Sequence, residues 1–310
     1  MIRGHTRRLQ RIPPSDRMTD FSSLRNPLCT LAGLLRPQTN PPQIQLRSLS
    51  MPASVPKHQR LVMMGIALLF AVICGGFAVG MAAPPAQPLR VLFVGNSYTY
   101  GGNLPKVVQA MSEADPLGRT LAVDSVTTAG FQLAGHWKRT NARAKIAEAR
   151  WDVVVLQDHS TQTLERPELF HQYMGLFAAE VQAAGARPFV FMTWARQATP
   201  ERQAIITAAY EQAAAANRAT VVPVGLAWQT ALADAETSVT LHVSDGSHPG
   251  KLGVYLNACM FYGALTGEDP TALPNVIRDQ SGKVLSEIPA REGAFLRRVA
   301  ARTLQTYKQP

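Results

Sequence analysis

Cysteine is nearly absent, with three in 310 residues: Cys29, Cys74 and Cys259. Only Cys259 follows residue 90. That excludes a disulfide scaffold for the C-terminal part, and a zinc site built on paired cysteines. Acids are scarce at the N-terminus. Residues 1–60 hold two of the 21 Asp and Glu and ten of the 31 Lys and Arg. The formal net charge of +10 therefore belongs mostly to this segment, and the remainder carries only +2. A strongly basic nucleic-acid binder is excluded there, so no nucleic-acid partner is expected. No His pair has the spacing of a zinc motif, and no metal or other cofactor is expected.

Charge of either sign is missing between Arg60 and Arg90. The gap holds LVMMGIALLFAVICGGFAVGMA, residues 61–82. One reading is a secretory signal peptide cut between Ala82 and Ala83, and the other is an uncleaved signal anchor. Lys57 and Arg60 on its N-terminal side place the following chain outside the cytoplasm in both. The expected location is secreted or periplasmic, or membrane-anchored and facing outward. Contact with a membrane is expected only through this segment. Residues 1–50 are rich in Arg, Pro, Ser and Thr without an apolar period, so they read as disordered. Met51 opens a short basic lead, MPASVPKHQR, and is the expected start, which makes 1–50 a miscalled extension. An Arg-rich organelle-targeting segment is the alternative. The expected organisation is 1–50 extension, 51–82 export segment, 83–89 linker and 90–310 folded domain.

From residue 90 onward short apolar runs alternate with longer amphipathic stretches. Strands are predicted at 90–95, 121–127, 151–157, 187–194 and 220–225. Helices are predicted at 104–114, 136–149, 167–185, 201–217, 226–234, 250–265 and 290–306. This alternation predicts an α/β fold, a three-layer α/β/α sandwich around a five-stranded parallel sheet. Ligands of such sheets lie beyond the carboxyl ends of the strands.

Two segments there can carry chemistry. The first strand runs into Gly95-Asn96-Ser97-Tyr98-Thr99. A Ser at that turn could present its hydroxyl, with backbone N–H groups of the next helix facing an oxyanion. A helix-capping Ser is the plainer alternative. Near the C-terminus stands Ser244-Asp245-Gly246-Ser247-His248-Pro249. An Asp and a His three apart can bond, so that the carboxylate orients the imidazole as a base. An ordinary Asp-Gly turn capping the next helix is the alternative. His159 and Trp194 follow the third and fourth strands and could line a cleft. His136, beside Trp137, reads as a packed helix-start residue or a substrate contact.

Together the segments VLFVGNSYTYGG and SDGSHPGKLGVYLNACMFYGALTG resemble the first and last blocks of the SGNH/GDSL hydrolase family. The resemblance spans about 90–267 and implies a flavodoxin-like sheet and serine ester hydrolysis. It implies Ser97 as nucleophile, His248 as general base and Asp245 as its orienting carboxylate. The oxyanion donors it implies are the N–H groups of Ser97 and Gly130 and the side chain of Gln157. Gln157 stands near the position of the family's Gly-x-Asn-Asp block, which reads Leu156-Gln157-Asp158-His159 here. Asn96 replaces the family's Asp in the first block. Asn96, His159 and Trp194 are the expected substrate contacts. The implied substrate is an ester, within the family an O-acetylated or otherwise esterified carbohydrate, with lipid and small-molecule esters as alternatives. A non-catalytic glycan- or partner-binding module on the same fold is the alternative, favoured by the altered third block.

Overall fold

The computed structural model describes residues 87–116, 118–148 and 150–310. The expected extension and export segment, and most of the linker, lie outside these residues. No described helix is long and apolar enough to cross a membrane.

The apolar runs form β1 (Leu89–Gly95), β2 (Leu121–Thr127), β3 (Val153–Leu156), β4 (Arg187–Phe191) and β5 (Thr220–Val222). All pair in parallel, in the order β2-β1-β3-β4-β5. Successive side chains of a strand point to opposite faces, and here both faces are buried. Val91 and Phe93 of β1 join Val153 and Val155 of β3 in one core. Leu92 and Val94 join Val154 and Leu156 in the other. That double burial is why these strands read as continuous apolar runs. β2 alternates in sequence because it is an edge strand, buried at Leu121 but exposed at Ala122 and Asp124.

The helices are α1 (Ser97–Tyr100), α2 (Leu104–Ala114), α3 (Leu133–Arg139), α4 (Ala142–Glu148), α5 (Gln162–Glu165), α6 (Pro167–Ala183), α7 (Gln203–Asn217), α8 (Val224–Leu232), α9 (Lys251–Thr266) and α10 (Ala290–Thr306). α2, α8, α9 and α10 cover the first core; α3, α4, α6 and α7 cover the second. The single helix expected over 136–149 is two, α3 and α4. Thr140 divides them. Its Oγ1 donates to the His136 carbonyl at 3.0 Å and accepts from Ala142 N–H at 3.2 Å. A Thr side chain that bonds backbone in this way competes with helix continuation and starts a new helix instead. A hairpin of β6 (Val276–Arg278) and β7 (Val284–Glu287) was not expected. The chain order reverses between β1 and β3, so the ligand crevice of this topology lies above their carboxyl ends.

Candidate active site

The turn after β1 is built from close packing. A Cβ on Gly95 would press on Thr99 Oγ1 and the Gln157 side chain. Asn96 caps α1: its Oδ1 accepts from Tyr98 N–H at 3.0 Å. Its Nδ2 donates to the Phe131 carbonyl at 2.9 Å, tying this turn to the loop that carries Gly130. Ser97 is thereby the first residue of a four-residue helix. With so short a helix, the N–H groups of the turn matter here rather than a helix dipole.

The structure brings Ser97, His248 and Asp245 together. Ser97 Oγ lies 2.8 Å from His248 Nε2, and His248 Nδ1 lies 2.6 Å from Asp245 Oδ2. Asp245 Oδ1 accepts from the N–H groups of Ser247 and His248 at 2.8 and 2.9 Å. The bond to the His248 side chain, then these two N–H groups, hold the Asp245 carboxyl down at about 2. The carboxylate is therefore charged and can only accept. It accepts a hydrogen bond from Nδ1–H, which leaves Nε2 as an acceptor facing the Ser97 hydroxyl. Gly246, with φ of +65°, makes the turn between them, and Gln197 N–H holds its carbonyl at 2.8 Å. Gly130 also has positive φ, +67°, and open space where a side chain would stand. The N–H groups of Ser97 and Gly130 have no hydrogen-bond partner among the described residues.

Three expected contacts are corrected. Gln157 is fully buried and its polar atoms are committed. Its Oε1 accepts from Asn96 N–H at 2.8 Å and from Thr99 Oγ1 at 2.9 Å, and its Nε2 donates to the Asp158 carbonyl. It braces the nucleophile turn and, fully buried, presents no exposed donor to an oxyanion. Asn96 is likewise buried and spends both side-chain atoms on backbone, so it does not contact substrate. Trp194 is buried in a stack, and the cavity it borders does not include Ser97 or His248. Tyr98 lies on one face of it, at 4.5 Å between ring centroids, and Trp228 on the other, at 3.9 Å. Trp194 Nε1 donates to the Ser247 carbonyl, and the Tyr98 hydroxyl meets Ser247 Oγ at 2.7 Å. The stack thus fixes the residue next to His248. Sequence reasoning missed Tyr98, Trp228 and Ser247 in this role. Their meeting depends on strands far apart in sequence, and no local pattern marks it.

His136 is buried in α3 and donates Nε2–H to the Gly95 carbonyl at 2.8 Å, a packed residue rather than a substrate contact. His159 is half-buried in the loop after β3. No cluster of His, Cys, Asp and Glu fit to hold a metal occurs among the described residues.

Asp158 joins the two loops beneath the site. Its Oδ1 accepts from Leu133 N–H at 2.9 Å, satisfying the open end of α3, and from His159 N–H at 2.7 Å. Burial pushes its carboxyl up from 3.8 to about 6, against the pull of those two N–H groups. Between these values the folded protein holds a proton that the unfolded chain has released. Stability therefore falls as pH rises from about 4 to about 6, by roughly 2–3 kcal/mol for this group. Asp158→Asn keeps the accepting oxygen and removes the charge. Urea unfolding across pH 4–7 is expected to show this fall in the wild type relative to the variant. Parallel pH profiles for the two proteins would contradict it.

Comparison with protein-family models gave no match, and comparison with curated proteins gave none. Solved structures do match. A DUF4886 family protein from Bacteroides uniformis aligns with a TM-score of 0.60 at 16% identity, over 71% of this chain and 96% of that chain. A candidate SGNH hydrolase from Slackia heliotrinireducens aligns with a TM-score of 0.51 at 24% identity, over 58% of this chain and 100% of that chain. At these identities the likeness establishes the fold alone, a three-layer α/β/α sandwich.

Proposed function

We propose that this chain is an exported serine ester hydrolase of the SGNH type. The observation that carries the reading is the continuous Ser97–His248–Asp245 hydrogen-bond line, at 2.8 and 2.6 Å, beside two unpaired backbone N–H groups. Ser97 Oγ attacks the ester carbonyl while its proton passes to His248 Nε2. The carbonyl π pair moves to oxygen, which the N–H groups of Ser97 and Gly130 receive. The protonated His248 gives its proton to the leaving alcohol. Water, deprotonated by His248, then releases the acid and restores Ser97.

The substrate class is an O-acetylated carbohydrate or a comparably small ester. His248 and Asp245 are 43% and 47% exposed at their side chains, so the site is open to a bulky alcohol. The polar side chains of His159, Ser160 and Arg196 stand beside it, with Arg196 Nη2 3.2 Å from Ser160 Oγ. A cavity of about 490 Å³ lined by Trp194, Arg196, Glu201, Trp228, Leu232 and His242 does not include Ser97 or His248 in its wall. That wall gives no support for a long acyl chain bound at the nucleophile. On p-nitrophenyl esters and acetylated sugars, acetyl groups are expected to react at least tenfold faster in kcat/KM than octanoyl. Preference for octanoyl would contradict the substrate class. A folded protein that cleaves no ester on the panel would favour a glycan-binding module instead.

A further inference from the structure

We infer that His159 supplies the third oxyanion donor through Nε2–H, a catalytic role in the reaction proposed above and resting on that reading. Gln157 is fully buried, with one Nε2–H bonded to the Asp158 carbonyl, so it presents no exposed donor there. The next side chain in this loop with a free N–H is His159. Its backbone is anchored by Asp158 Oδ1 at 2.7 Å, so the residue is held rather than loose. Its Nδ1 accepts from Thr161 N–H at 3.4 Å and lies 3.2 Å from Thr161 Oγ1. Imidazole with Nδ1 engaged as an acceptor carries its proton on Nε2. That Nε2–H has no partner among the described residues.

The position suits the task. β3 pairs directly with β1, so the loops after both strands rise side by side. The contact of Gln157 Oε1 with Asn96 N–H at 2.8 Å presses them together at the residue before Ser97. His159 also lies close enough to His248 and Arg196 for both to depress its basicity, after burial as the larger cause and against Glu165. A neutral imidazole here donates one N–H without competing with His248 for the Ser97 proton. During attack the Ser97 Oγ–carbon bond forms, the proton goes to His248, and the displaced π pair settles on the oxygen that three N–H groups receive.

Removing one such donor costs about 10²–10³ in kcat. The test compares the full chain with His159→Leu, which has no donor, and His159→Asn, which keeps a side-chain N–H. The readouts are kcat and KM on p-nitrophenyl acetate, with thermal unfolding as a control. His159→Leu is expected to lose about 100-fold in kcat at nearly constant KM, and His159→Asn to recover at least tenfold of that loss. Wild-type kcat in His159→Leu overturns the inference and leaves the hydrolase standing. Equal losses in both variants overturn it too, since they mark a structural or substrate-contact role. A wild type that hydrolyses no ester and takes up no fluorophosphonate overturns the hydrolase reading, and this inference with it.

Discussion

Ser97→Ala is expected to abolish ester hydrolysis, with a fall of about 10⁶ in kcat and an unchanged unfolding midpoint. The nucleophile oxygen is the only atom removed. The turn does not depend on that hydroxyl, because Asn96, Gln157 and Thr99 frame it through their own bonds. His248→Ala should cost nearly as much, since an unassisted serine hydroxyl is a weak nucleophile. The double variant should be no worse than either single one, because groups acting in one step are not additive. Initial rates of p-nitrophenyl acetate hydrolysis measure all three. Substantial activity in Ser97→Ala, or additive losses in the pair, would remove Ser97 from the reaction.

The second large effect is expected at Asp245. The N–H groups of Ser247 and His248 require an oxygen at the Oδ1 position. In Asp245→Asn the amide carbonyl stays there, and the NH₂ group replaces Oδ2 opposite His248 Nδ1. Two donors cannot face each other, so the His248 proton moves to Nε2. Nε2 then points an N–H at Ser97 and can no longer take its proton. Loss of the correct tautomer costs about 10⁴ in kcat. Stability should change little, because the Asp245 side chain is 47% exposed. A variant that retains more than a tenth of wild-type kcat would show that Asp245 does not set the tautomer. Acid inactivation well above pH 3 has another origin, since the Asp245 carboxyl stays charged down to about 2.

The residues readable from sequence were those whose job is local. β1 and β3 announce themselves because burial on both faces leaves no room for polar residues. Ser97 is marked by its place at a strand end, and Asp245 and His248 by a spacing that lets them bond within one turn. The amides of Asn96 and Gln157 were misplaced for the opposite reason. A buried amide looks the same in sequence whether it faces substrate or backbone, and only the packing of β1 against β3 decides which. Trp194 was misplaced similarly, since its partners Tyr98 and Trp228 arrive from distant elements. The β6–β7 hairpin escaped notice because its strands are three and four residues long and partly exposed.

The central claim is that Ser97 is an activated nucleophile. Incubating the full chain with a fluorophosphonate and mapping the adduct by peptide mass spectrometry tests it most directly. The account predicts one stoichiometric adduct, on Ser97, that is lost in Ser97→Ala and slowed in His248→Ala. A folded protein that stays unlabelled, or carries its adduct on another residue, would contradict it.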